Sequence, residues 1–334
     1  MGLSTSTILT MSSHHWLLAW LGLELNTLSV LPIIIKLHHP RATEATTKYF
    51  LIQAAAAALI LFASTLNAWQ TGHWSITNTT SPTTTTMITI AIMLKLGLTP
   101  MHAWYPEVLQ GTTMSTALIL STWQKIAPLT LLYLTGHHLP NNLLILLGTA
   151  SIIVGGWGGL NQTQTRKIMA FSSIAHMGWL IISLTISLNI TTMTLLIYMM
   201  TTTTMFISFN TLTSKTLMDL GTAWPQSPLL ITTLLLALVS MGGLPPLTGF
   251  APKWFILTHL CHQKLVLLSI TIALASLPSL FFYVRMGYLT TLTTPPGTTN
   301  SQHKWRHKTH FPEILTPIMM MATLLLPLTP MLIT

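Results

Sequence analysis

The chain has 334 residues, of which Lys and Arg supply 14 and Asp and Glu 5, so charged side chains make up only 6%, where a soluble domain carries roughly 25%. Half of the residues are hydrophobic. A soluble fold of this length needs a polar shell that this composition cannot supply, which excludes a soluble enzyme, a nucleic-acid binder and a disordered tail in spite of the formal net charge of +9.

A bilayer core of ~30 Å takes roughly 20 apolar residues per helix. Residues 1–11 (MGLSTSTILTM) are apolar but too short to cross. They read as a re-entrant segment or as the end of a first helix; the second option is preferred and counts as span 1. Ten full runs follow, at about 14–36, 48–68, 86–111, 114–134, 141–160, 167–188, 193–214, 228–258, 264–289 and 314–333. The predicted fold is therefore an all-α polytopic membrane protein of about eleven transmembrane helices, one membrane domain over 1–334. Within it, 14–160 and 161–290 are read as two repeats and 314–333 as a C-terminal helix. The start of the chain shows neither a basic, Ser-rich transit peptide nor a signal-peptide cleavage site, so insertion of the chain as made is expected.

Span 2 carries Glu24 ten residues in, about 15 Å deep at ~1.5 Å per residue. Span 4 carries Lys95 and is interrupted by Gly97, Pro100 and Pro106 in the stretch MLKLGLTPMHAWYPE. Span 5 carries Lys125 at its middle, and span 7 carries His176. Span 9 reads SMGGLPPLTGFAPKW, interrupted by Gly242, Gly243, Pro245, Pro246, Gly249 and Pro252, and carries Lys253. The Thr-rich stretch at 77–86 reads as a loop and that at 201–204 as part of a span, where Thr hydroxyls can bond their own helix backbone. Cys261 stands alone, so an intrachain disulfide, a paired-Cys zinc site and a Cys-ligated iron–sulfur cluster are excluded. With no Gly-rich phosphate-binding motif after a strand-like run, any redox chemistry belongs to a partner.

The remaining cations orient the chain. Loops after the even-numbered spans, with their helix ends, hold Lys36, Arg41, Lys48, Arg166, Lys167, Lys215, Arg285, Lys304, Arg306 and Lys308, whereas the opposite loops hold Lys264. By the positive-inside rule the even loops face the compartment of synthesis. Lys36 and Arg285 are expected to snorkel, with their charged heads at the interface. Asp219, Glu44 and Glu313 read as loop charges, and the Trp residues near span ends as an aromatic belt.

Glu24, Lys95, Lys125 and Lys253 are different. Each costs roughly 2.5–3.5 kcal/mol at mid-bilayer on insertion scales, about 10–14 for the four, so they face the protein interior or a hydrated cavity. One carboxylate cannot neutralise three ammonium groups, which favours a proton or ion pathway over buried structural pairing. Removing a lysine from water favours its neutral amine and a nearby carboxylate favours the ammonium, so moving the partner can load or release a proton. Arg stays protonated and could not do this. The two interrupted spans share G-L-x-P with a lysine close by and lie five spans apart, the pattern of a five-helix unit repeated in inverted orientation around broken helices. His176 is either a proton relay or a satisfied interior donor, and His102 after the first break carries the same two readings. Glu107 is either a pathway entrance or a solvated helix end. His14, His15, His38, His39, His137 and His138 sit at span ends, without metal-ligand spacing.

The stretches WLGLELNTLSVLPI, HHPRATEATTKYFLIQA, KLGLTPMHAWYPEVLQG, GGWGGLNQTQTRKIMAFSSIAHMGW and SMGGLPPLTGFAPKW closely resemble the NADH dehydrogenase subunit 2 family, antiporter-like membrane subunits of mitochondrial respiratory complex I. The resemblance runs from about residue 12 to the C-terminus and departs at the shortened first helix. It implies an eleven-helix protein of the mitochondrial inner membrane built on two inverted five-helix repeats. It also implies a proton-translocating unit driven by NADH oxidation by ubiquinone elsewhere in the complex. The family's acid–base line falls on Glu24, Lys95, Lys125 and Lys253, and its hydrophilic axis would include His176. No cofactor or metal would be bound by this chain; NADH, FMN, iron–sulfur clusters and ubiquinone would belong to partner subunits. The partners would be other membrane-arm subunits and phospholipid, with no nucleic acid and no soluble substrate. The rival readings are a stand-alone cation/proton antiporter and a structural scaffold for other membrane subunits.

Overall fold

The computed structural model describes residues 1–36, 38–79, 81–225, 227–293 and 312–332. Lys304, Arg306 and Lys308, used above for orientation, lie outside the described residues. The described residues fold as helices in chain order. Seven helical stretches among them are long and apolar enough to cross a membrane. The chain divides into two compact units, Met1–Ser151 and Ile152–Thr334.

In the first unit, α1 (Gly2–Met11) packs on α2 (Trp16–Ile35). His15 caps α2 by accepting from the Leu17 N–H, and His39 caps α3 (Pro40–Thr71) in the same way through the Arg41 N–H. Both bonds satisfy N–H groups that a helix start leaves without an intrahelical partner. The small residues Ala56, Ala57 and Ala63 of α3 are buried, and the helix packs against α2, α4 (Pro82–Leu96) and α5 (Trp104–Gly111). Helix α4 begins at Pro82, so part of the Thr-rich stretch read as a loop is helical. Pro suits the first helical position because it has no N–H to leave unpaired, and Thr84, Thr85 and Thr86 return their hydroxyls to backbone carbonyls three residues earlier.

Span 5 is not one continuous helix either. It splits into α6 (Met114–Ser121) and α7 (Trp123–Thr135) around Thr122, whose hydroxyl bonds the Leu118 carbonyl at 2.6 Å. Pro128 inside α7 removes one further backbone donor, that which would have bonded the Gln124 carbonyl. Helix α8 (Asn141–Gly159) leads into the second unit.

In the second unit, α9 (Thr165–Ile186) and α10 (Leu188–Thr211) pack together. A short α11 (Leu217–Thr222) follows, held by a capping box in which Thr216 and Asp219 exchange side-chain and backbone bonds. Those backbone N–H groups, with Thr216 foremost and Lys215 after it, hold the Asp219 carboxyl below the ordinary carboxylate range. Helices α12 (Pro228–Gly242) and α13 (Phe250–His262) form the second interrupted span, and α14 (Val266–Ala275) and α15 (Leu277–Leu292) follow. The last helix, α16 (Leu315–Leu324), packs on α10 and α12 and runs into a 3₁₀ turn, Leu326–Leu332. Ile152, Trp179, Ile182, Ile190, Ile256, Leu260 and Ile272 form one buried cluster of this unit. The Arg285 guanidinium donates to the Leu160 carbonyl at 2.6 Å, beyond the end of α8, where helix-end carbonyls lack an intrahelical donor.

The two broken spans share one local design. Helices α4 and α12 are each 15 residues long, start on Pro, and end at a glycine in the left-handed region: Gly97 at φ 73°, ψ 38° and Gly243 at φ 77°, ψ 39°. In each, the glycine N–H and the following N–H turn back to carbonyls of the last helical turn. This closes each helix end with donors from the chain itself. A cis proline follows in both, Pro100 and Pro246, and the second helix starts at Trp104 and Phe250. Matching the two glycines also matches Pro106 with Pro252. The lysines, however, fall out of register: Lys95 stands where the second break has Met241, and Lys253 stands where the first has Glu107.

Candidate functional site

In the first unit, Lys95 lies in the last turn of α4 and Lys125 near the start of α7, 6% and 3% exposed. Both line a cavity of about 20 Å³ together with Asn26, Gln53, Gln124 and Tyr105, enough for about one water molecule. The Lys125 ammonium sits 5.0 Å from the centre of the Tyr105 ring, within cation–π range. Gln53, on α3, donates to the Lys95 carbonyl at 3.3 Å and so caps the broken end of α4. Ser6 on α1 donates to Asn26, and Asn26 donates to the Gln124 side chain at 2.9 Å, so a chain of neutral hydrogen bonds ends beside Lys125.

Glu24 is half-buried on α2. Its Oε2 and the Nζ of Lys95 are both buried without a hydrogen-bond partner, so the two groups do not bond each other in this structure. The three amides Asn26, Gln53 and Gln124 were not singled out by the sequence. Their signal was a polar residue within an apolar run, two positions from Glu24 in one case and adjacent to Lys125 in another.

In the second unit, Lys253 on α13 reaches back across the break and donates to the Gly242 carbonyl at 2.7 Å. Its ammonium thereby occupies the negative end of the α12 half-helix. Gly243 permits this twice over. It adopts a backbone conformation that other residues rarely take, and a Cβ there would meet the Lys253 stem at 2.8 Å. Lys253 and His176 line a cavity of about 30 Å³ that also includes Thr194, Tyr198, Thr201 and Ser240. His176 Nε2 lies 3.4 Å from the Tyr283 hydroxyl, and its ring is 6.0 Å from that of Tyr198.

Two other candidates stand apart. His102, half-buried, places Nδ1 3.3 Å from the Pro100 carbonyl and lines neither lysine cavity. Glu107 is exposed and shares Lys48 with Glu44, each pair at 2.6 Å, which fastens α5 to the start of α3. Among the described residues no group of three or more His, Cys, Asp or Glu side chains could hold a metal ion.

Apolar helices, two half-helices closed by left-handed glycines, and a lysine at each break, Lys95 buried and Lys253 half-buried, define an antiporter-like membrane protein. The family model for the transmembrane part of NADH:quinone oxidoreductase and Mrp antiporters matches residues 13–278, and that for the C-terminus of NADH dehydrogenase subunit 2 matches residues 280–333. Relatives named NADH-ubiquinone oxidoreductase chain 2 are 53% identical in Carassius auratus, over 99% of this chain and 96% of the relative, and 50% identical in Xenopus laevis over the same shares. A chain of respiratory complex I from Thermus thermophilus superposes with a TM-score of 0.81 at 26% identity, over 98% of this chain and 78% of that one. A chain of the Mrp complex from Dietzia sp. shares the fold, with a TM-score of 0.80 at 15% identity, over 89% of this chain and 60% of that one. The chain belongs to the NADH-ubiquinone oxidoreductase chain 2 family, the antiporter-like membrane subunits of complex I.

Proposed function

We propose that this chain translocates protons across the mitochondrial inner membrane as part of the membrane arm of NADH:ubiquinone oxidoreductase. Electron transfer from NADH to ubiquinone, with its FMN and iron–sulfur clusters, takes place in partner subunits. The observation that carries this reading is the pair Lys95 and Lys125, both buried and lining one small polar cavity together with the amides Asn26, Gln53 and Gln124. Such a pair suits a group that exchanges its proton.

In this reading Glu24 and Lys95 form a switchable pair, Lys125 is the central relay, and Lys253 is the far-side relay, with His176 beside it. Changes passed on from neighbouring subunits shift the charge preference of each group in turn. Lys125→Met is the direct test. The assembled complex should keep oxidising NADH in uncoupled membranes while proton pumping is lost. Unaltered pumping in assembled Lys125→Met complex would remove Lys125 from the pathway.

A further inference from the structure

The break between α12 and α13 is fastened to the C-terminal helix by two hydroxyl groups. Ser240 Oγ, in the last turns of α12, donates to the Ala322 carbonyl of α16 at 2.8 Å. Thr248 Oγ1, on the return side of the break, donates to the same carbonyl. The two hydroxyls are 3.2 Å apart, and Ser240 Oγ also accepts from the Gly249 N–H at 3.4 Å. Ser240, Thr248 and Ala322 are all fully buried.

Position 249 shows how tightly this is drawn. A Cβ there would fall 1.8 Å from the Ser240 carbonyl oxygen, so only glycine lets the chain return this close to α12. The Ala322 carbonyl lies in the final turn of α16, where helix carbonyls lack an intrahelical donor and lipid offers none. The hydroxyl pair supplies that donor.

Thr248 and Ala322 border an apolar cavity of about 150 Å³ whose other walls include Leu196, Met200, Met321 and Leu325. The side of α16 that faces this cavity gains few dispersion contacts there, so the two hydrogen bonds add to its packing on α10 and α12 in fixing its position. On the other side, Ser240 and Gly249 are walls of the cavity that Lys253 lines.

We propose that Ser240 and Thr248 are positioning residues for Lys253, tying both sides of the break to the Ala322 carbonyl so that the C-terminal helix fixes the wall of the Lys253 cavity. Neither hydroxyl touches Lys253. Both act through the backbone whose Gly242 carbonyl receives the lysine ammonium. The proposal rests on the reading of Lys253 as a relay.

The test uses the intact complex in sealed inner-membrane vesicles, measuring NADH oxidation and protons pumped per electron in Ser240→Ala/Thr248→Val, in the hydroxyl-retaining Ser240→Thr and Thr248→Ser, and in Lys253→Met. Thr323→Val is the control within α16, since its hydroxyl bonds only the Met319 and Met320 carbonyls of its own helix. The expected result is a proton-to-electron ratio lowered at least twofold in the double variant with uncoupled NADH oxidation retained, and ratios like the unaltered complex in the two hydroxyl-retaining variants and in Thr323→Val. A double variant that pumps normally while Lys253→Met does not would overturn the inference and leave the relay standing. Normal pumping by Lys253→Met would instead remove the relay and the inference with it. Should the double variant fail to assemble, Ser240→Ala alone, with Thr248 still donating, decides: a lowered ratio supports the positioning role and an unchanged ratio refutes it.

Discussion

The Lys253 ammonium donates to the Gly242 carbonyl at 2.7 Å, so this side chain closes the helix that precedes the break as well as lining a polar cavity. The two roles can be separated with Lys253→Arg, which keeps a cation and its donors at the carbonyl but does not release its proton. Uncoupled NADH oxidation and thermal stability of the complex should stay near those of the unaltered protein, while proton pumping falls at least tenfold. Pumping retained in Lys253→Arg would limit Lys253 to the structural role.

Gly243→Ala should cost more than Gly72→Ala although both glycines have φ above 70°. Each change carries the left-handed backbone penalty of about 1–2 kcal/mol. At Gly72 nothing lies within 4 Å of the new methyl, whereas at Gly243 it meets the Lys253 stem at 2.8 Å. Thermal inactivation of the assembled complex should shift further for Gly243→Ala, and its pumping should fall in parallel; equal shifts would mean that the Lys253 stem yields freely.

The amide pair Asn26–Gln124, the first buried and the second half-buried, lends itself to a double-mutant cycle. Asn26→Leu leaves the Gln124 carbonyl without its donor and should cost about 1–3 kcal/mol, as should Gln124→Leu. Both changes together should cost clearly less than the sum of the two, because no polar group is then left stranded. Strictly additive losses, read from denaturation of the complex, would show that the pair is not coupled.

Helix α11 should loosen in acid. The Asp219 carboxyl is held below its ordinary range by the N–H groups of Thr216 and Lys215, so its contribution is complete above that range and disappears as pH falls through the lowered value. Because the group is largely exposed, the effect is local. Amide hydrogen exchange at residues 216–222, corrected for its intrinsic pH dependence, should quicken below about pH 4 in the unaltered chain, and Asp219→Asn should exchange quickly at all pH values. A pH-independent protection factor would contradict the role of the carboxylate.

Glu24, Lys95, Lys125 and Lys253 stood out in the sequence because so few charges are present and these four fall within apolar runs. The two breaks were legible because Gly and Pro act directly on the backbone. The amides Asn26, Gln53 and Gln124 were not, since a neutral polar residue is tolerated at many places in a helix and only its partner reveals its use. The split at Thr122 carried no such signal, for neither Gly nor Pro stands there. Nor did Arg285 announce a partner, because the Leu160 carbonyl it binds belongs to a distant part of the chain. The correspondence of Glu107 with Lys253 was present in the matched stretches GLTPMHAWYPE and GLPPLTGFAPK, yet it matters only once both glycines are seen to share one conformation.

The two half-helix ends are closed by different chemistry. Gln53 covers the end of α4 with an amide that carries no charge at any pH, while the end of α12 is covered by the titratable amine of Lys253. A group that cannot ionise therefore covers one joint of this protein, and an ionisable nitrogen covers the other.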